Sequence, residues 1–172
     1  MIPCYQLCKD RRCTHWNPEL MDCDKLPDDC DYAIEHLVSE RENQRLDGVK
    51  HGLWKYWYDT GQLWFKGTYV NGKKHGVFTY WYANGQLSSE DPYVDGLWNG
   101  VYRAWNENGQ LWEEGNYVDD EREGLWREWS KNGQLKYEGI YVDGKRDGLW
   151  RYWNKNGELN EGFVYEKGEL KQ

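Results

Sequence analysis

The chain has 172 residues, with 30 Asp and Glu against 22 Lys and Arg and a formal net charge of −8. That balance disfavours nucleic acid or an anionic membrane as partner, because both require clustered cations. No apolar run reaches the roughly 18 residues of a membrane-spanning helix. Cys4, Cys8 and Lys9 stand where a secretion signal needs an apolar stretch, so an intracellular, cytoplasmic location is expected, without secretion through a signal peptide.

Residues 1–46 differ from the rest. All five cysteines, Cys4, Cys8, Cys13, Cys23 and Cys30, lie here, with His15 among them and three of the four prolines. The segment has too few apolar residues to form a core alone. A structural zinc held by four of Cys4, Cys8, Cys13, His15, Cys23 and Cys30 would staple it, although no C-x2-C pair is present. Disulfides would leave one cysteine over, and free thiols packed as small hydrophobes are the third alternative. No cofactor is required beyond that candidate zinc. Pro27-Asp28-Asp29 can open a helix over about residues 29–43, with Ile34, Leu37 and Val38 on one face, laid as a cap over the first repeat. Leu46-Asp47-Gly48-Val49-Lys50 then reads as the end of a half-unit.

From residue 47 to 172 one unit of 24 residues repeats five times, beginning with His51 to Lys74. Trp57, Trp81, Trp105, Trp129 and Trp153 keep the spacing. So do Gly61, Gly85, Gly109, Gly133 and Gly157, and Tyr69, Tyr93, Tyr117, Tyr141 and Tyr165. Such a period marks an array whose units bury their apolar faces by stacking on one another. Within each unit two extended runs, Leu53–Tyr58 and Leu63–Val70 in the first, alternate with Gly-containing turns. Asn-Gly between such runs is a strong hairpin signal. The expected fold is an all-β, elongated, twisted antiparallel meander of about ten strands.

A register follows if Tyr58 faces Leu63. Position 55 then faces 66, which pairs Arg103 with Glu114 and Arg127 with Glu138. Trp54 opposes Gly67, and Trp126 opposes Gly139, so a ring covers each strand glycine. Alternation places Trp54, Tyr56, Tyr58, Leu63 and Tyr69 on one face, and Leu53, Lys55, Trp57 and Val70 on the other. The Trp57 column is either a structural ladder or an exposed aromatic platform for a ligand.

The pattern G-L-W-x-x-x-W-x-x-N-G-Q-L-x-x-x-G-x-Y, carried five times, resembles the MORN repeat, in the variant met in bacterial antitoxin-like and giant-virus proteins. The resemblance implies stacked β-hairpins, no catalysis by the repeats, and a scaffold that holds protein partners, with some members linked to membranes and their lipids, while the open sheet edges themselves allow self-assembly. Departures fall at Asp91-Pro92, at Asp119-Asp120 and around Glu161-Gly162, where a residue looks lost. The first two predict local bulges, the third a C-terminal cap.

No nucleophile, acid–base pair or phosphate loop stands out, and the carboxylates recur with the repeat rather than as one catalytic pair. His51 and His75 share a column with Asn99, Glu123 and Asp147, so no ligand role is assigned to them. The expectation is a non-enzymatic interaction scaffold or structural component of a larger assembly, within a virus particle as one setting. An antitoxin that inhibits one toxin, and a carbohydrate- or lipid-binding module, are the alternatives.

Overall fold

The computed structural model describes residues 42–171, which are strand and turn throughout. The strands are β1 (Gln44–Leu46), β2 (Val49–Trp57), β3 (Leu63–Val70), β4 (Lys73–Trp81), β5 (Leu87–Val94), β6 (Leu97–Trp98), β7 (Gly100–Trp105), β8 (Leu111–Val118), β9 (Glu121–Trp129), β10 (Leu135–Val142), β11 (Lys145–Trp153), β12 (Leu159–Glu166) and β13 (Glu169–Lys171). They form one antiparallel sheet in chain order, except that β5 pairs with both β6 and β7. Ten of them are the meander expected from the repeat. The half-unit adds β1, the strand after the last repeat adds β13, and a break adds β6. The expected helix over 29–43 lies outside the described residues except at its end, where Glu42 and Asn43 form a turn instead.

Two turn chemistries alternate. Between units, Asn71 and Gly72 both take positive φ (49° and 80°), as do Asp95-Gly96 and Asp143-Gly144. Two left-handed residues in a row make the two-residue turn whose twist matches the strands it joins. Asp119-Asp120 does the same without glycine, at φ 48° and 71°. Its carboxylates are tied down: Asp120 Oδ1 accepts the Trp98 N–H at 2.6 Å, and Asp119 Oδ1 accepts from Asn99 Nδ2 at 2.9 Å. Short Asx side chains are among the few that tolerate this backbone.

Inside a unit the turn differs, and this corrects the expected register near it. Only Gly61 has positive φ in Asp59-Thr60-Gly61. The Tyr58 N–H donates to Gln62 O at 2.8 Å, and the Gly61 N–H to Tyr58 O at 2.9 Å. A turn of this kind leaves one extra residue on a strand. Tyr58 therefore faces Gln62, Trp57 faces Leu63, and Trp64 is the bulge that returns the pairing to Tyr56–Phe65, Lys55–Lys66 and Trp54–Gly67. Leu63 consequently shares a face with Trp57 rather than with Trp54. Beyond the bulge the expected pairs stand, Arg103–Glu114 and Arg127–Glu138 included.

The last unit is also corrected. No residue is lost there: Trp153 pairs with Leu159, Tyr152 with Glu161 and Arg151 with Gly162, the spacing of every other unit. Its glycine stands one place early, and Phe163 fills the glycine column opposite Trp150.

Among the described residues the core is a ladder of rings on one face. Phe78, Trp126 and Trp150 are the largest fully buried side chains. Each covers a glycine of the preceding unit, so a Cβ on Gly67, Gly115 or Gly139 would run into the ring of Phe78, Trp126 or Trp150 respectively. The expected covering of the glycine by its own unit's ring is thus supplied by the next unit. This close approach explains why a residue of low strand propensity sits in mid-strand.

Candidate interaction site

The ring face is nearly self-sufficient. The residue four before each ladder ring is a cation in four units: Lys50, Lys74, Arg122 and Arg146. Lys50 Nζ lies 4.5 Å from the Trp54 ring centre and 4.6 Å from that of Tyr69. Arg122 lies 4.1 Å from Trp126 and Arg146 4.4 Å from Trp150. Each also donates to the hydroxyl of the Tyr column, Lys74 to Tyr93 at 3.2 Å and Arg122 to Tyr141 at 3.3 Å. Cations held over rings in this way contribute about 0.5–2 kcal/mol each. The column Tyr69, Tyr93, Tyr117, Tyr141 and Tyr165 therefore braces the ladder. Sequence reasoning missed these cations, although the 24-residue spacing of four of them was a usable signal. In the third unit Trp98 takes the cation's place, its ring centre 5.1 Å from Tyr93 and 4.9 Å from Tyr117.

One place on this face is irregular. Asp91 stands in the glycine column, only 8% exposed, and its Oδ1 has no hydrogen-bond partner among the described residues. Burial pushes its carboxyl up, against the pull of Ser89 and Lys74. Burial also raises Glu113, against Arg122, whose Nη2 lies 3.2 Å from Glu113 Oε1. Between these acids the neighbouring strands pair Ser89 with Ala104, where the first unit and its neighbour pair Phe65 with Tyr56 and Tyr80. Burial and then Asp91 push the Tyr80 hydroxyl up to about 12.

The opposite face carries three stripes, one residue per strand. In the middle runs an ion ladder: Glu90, Arg103, Glu114, Arg127, Glu138 and Arg151 on β5, β7, β8, β9, β10 and β11. Successive members lie 3.9, 3.3, 3.5, 3.3 and 3.2 Å apart. On one side runs an aliphatic stripe in which Val77, Val101, Leu125, Ile140, Leu149 and Val164 are all exposed. On the other, the Trp57 column alternates with leucine: Trp57–Leu63, Trp81–Leu87, Trp105–Leu111, Trp129–Leu135 and Trp153–Leu159.

The Trp column is thus a ladder with one open end. Trp81, Trp105, Trp129 and Trp153 are half-buried, whereas Trp57 is 47% exposed and the bulged Trp64 44%. Tyr58 and Trp64 lie with ring centres 6.1 Å apart, and Tyr56 beside them is exposed. The glycine column from Gly61 to Gly157 is structural, with φ between 81° and 84° at all five positions. The candidate zinc ligands Cys4, Cys8, Cys13, His15, Cys23 and Cys30 lie outside the described residues. Among the described residues no three His, Cys, Asp or Glu side chains gather as a metal site. No described helix is long and apolar enough to cross a membrane.

These features define a class: a single-layer β-hairpin repeat array with open faces. The model of the MORN repeat variant matches residues 50–71, 74–95, 98–119 and 122–143, just over half of the chain, and the chain belongs to that family. Repeats of this family take part in interactions with proteins and membrane lipids. No curated protein matches the chain. Among solved structures it is similar to a point mutant of S. aureus TarM in complex with fondaparinux, alpha-GlcNAc-glycerol and UDP, at 11% identity and a TM-score of 0.31. That match covers 86% of this chain and 24% of the other. A second TarM structure matches at 11% identity and a TM-score of 0.29, covering 82% and 23%. The chain spans about a quarter of the length of either, and at such scores nothing about activity or substrate follows for it.

Proposed function

We propose that the protein is a non-catalytic scaffold that binds a protein partner through the first repeat. The observation that carries this reading is the exposed aromatic surface of the β2–β3 hairpin, with Tyr56 and Trp64 beside Tyr58 and Phe65 on the ring face and Trp57 exposed on the opposite face. Trp and Tyr dominate interface energetics because they bury large area at little conformational cost. Elsewhere the Trp57 and Tyr56 columns are covered at least in part, and on the ring face the array's own Lys and Arg occupy the aromatic surfaces. Ionisable side chains recur with the repeat, which suits a sheet surface better than a catalytic centre. The net charge of −8 favours a protein over nucleic acid or an anionic membrane.

The test is affinity capture of the tagged chain from its source, run beside a Trp57→Ala/Trp64→Ala variant. A partner at near-unit ratio, lost with the double variant, is the expected result. A single toxin as that partner identifies an antitoxin, and retention in a large particle identifies a structural component. Equal capture by the wild type and the variant, or no partner at all, overturns the reading. Glycan and phosphoinositide titrations followed by Trp fluorescence then address the carbohydrate and lipid alternatives.

A further inference from the structure

We infer that the striped face over β5–β11 pairs with the same face of a second copy, related by a two-fold axis parallel to the strands and lying between β8 and β9. The inference goes beyond partner binding and uses different strands from the β2–β3 aromatic surface.

Charge complementarity carries it. The ladder alternates in sign at every strand from Glu90 to Arg151. A two-fold axis between β8 and β9 reverses the strand order of the second copy over the first. Glu114 then meets Arg127 of the second copy, Arg103 meets its Glu138, and Glu90 meets its Arg151. All contacts are of opposite sign, and each occurs twice. Moving the axis to lie between β9 and β10 sets Arg103 against Gly162, and moving it between β7 and β8 sets Lys66 against Arg151. Among these three placements, only the one between β8 and β9 pairs the whole ladder.

The flanking stripes obey the same operation. Leu111 meets Trp129 of the second copy, Trp105 meets its Leu135, and Leu87 meets its Trp153, so every contact sets a ring against a leucine. On the aliphatic side Val101 meets Ile140, Leu125 meets Asn116 next to the axis, and Leu149 lies over the buried Pro92. These six strands contribute eighteen residues per copy, close to the roughly 20–30 per side of a stable interface. Two twisted sheets packed face to face keep their strands within about 30°. Contact is therefore tightest at the axis, where Glu114 and Arg127 lie. The Trp–Leu stripe, with Val101 and Ile140, drives the association. The ladder, whose burial is costly unless every charge finds a partner, sets the register.

The experiment is sedimentation equilibrium on the full chain, with Arg127→Glu and Glu114→Arg as separate variants and as an equimolar mixture. The wild type is expected at twice the 20.7 kDa chain mass. Arg127→Glu alone sets carboxylate against carboxylate at both central contacts, and Glu114→Arg sets guanidinium against guanidinium. Each is expected to be monomeric. Mixed, they restore opposite charges and are expected to form a heterodimer, an outcome that a merely destabilised chain would not produce. A monomeric wild type, dimeric single variants, or a mixture that stays monomeric would each overturn the inference. If a charge variant fails to fold by circular dichroism, Leu149→Asp at an exposed aliphatic position replaces it: a folded monomer supports the interface, and a folded dimer refutes it. Loss of partner capture on substituting Trp57 and Trp64 leaves this dimer intact, so the two readings fail separately.

Discussion

The β5–β7 junction and the β8–β11 stretch carry the same register and fill it differently. From β8 to β11 each strand glycine lies under a tryptophan of the next unit, and the strands run unbroken for eight or nine residues. At β5 the glycine column holds Asp91 and the following ring is Tyr102. Pro92 cannot donate to the ladder, and its neighbour strand splits into β6 and β7 around Asn99. The Asn99 N–H bridges the gap by donating to Pro92 O at 2.9 Å. The contrast shows that ring and glycine are one unit of design. Where a side chain replaces the glycine, the ring above shrinks, a carboxylate is buried, and the strand opposite breaks.

Truncating the ladder should separate the two regions most. Trp150→Ala is expected to cost about 3–5 kcal/mol, the range for a buried Trp, and Tyr102→Ala distinctly less, read as urea midpoints; equal losses would break the comparison. Next comes the glycine itself. Gly139→Ala drives a methyl into the Trp150 ring and should cost about 1–3 kcal/mol, whereas Asp91→Gly, paired with Tyr102→Trp, should hold or raise the midpoint. A third effect depends on pH. Burial raises Asp91, so its proton is held more tightly in the folded chain than in the unfolded one. Ionising it therefore costs stability as pH rises past the ordinary carboxylate range, and the cost disappears in acid. Asp91→Asn should accordingly melt higher than the wild type at neutral pH, with the gap closing as pH falls. A gap that stays constant with pH would mean the carboxyl is not the cause. Smallest is the ion ladder. Arg127→Gln in dilute, monomeric protein should cost no more than about 1 kcal/mol, less in high salt, because these pairs are largely exposed.

Much of this is legible in the sequence, for identifiable reasons. The period sets the number of hairpins. The alternation of Arg103, Glu114, Arg127 and Glu138 sets the register, because opposite charges in two columns mark strands that face each other. The turn inside the unit is misread because Asn-Gly serves two turn types. In the type adopted here Asn84 keeps an ordinary φ and spends its side chain on hydrogen bonds instead, accepting from the Gln86 N–H at 2.9 Å and donating to Glu107 O at 2.8 Å. The bulge at Trp64 follows from that turn and is invisible without it. The owner of each covering ring is hidden because it depends on pairing between units, and the columns alone do not distinguish a unit's own partner from the next unit's. The candidate site is legible only in part. The Trp57 column announces itself, but the exposure that sets Trp57 apart from its later copies does not.

The covering of each glycine by the following ring gives the array a direction and a modular grammar. Three of the five units hand a glycine forward and receive a ring in return, so the contact belongs to the seam rather than to either unit. Excising Asn116 to Gly139, one whole period, would bring Trp150 over Gly115 and Arg151 beside Glu114, leaving no seam unmatched. An excision of any other length would misalign rings, glycines and charges together. Length in this protein is therefore free to change only in whole words of 24 residues, and Phe163, a ring already seated in the glycine column, leaves no glycine at that place for a further ring to cover.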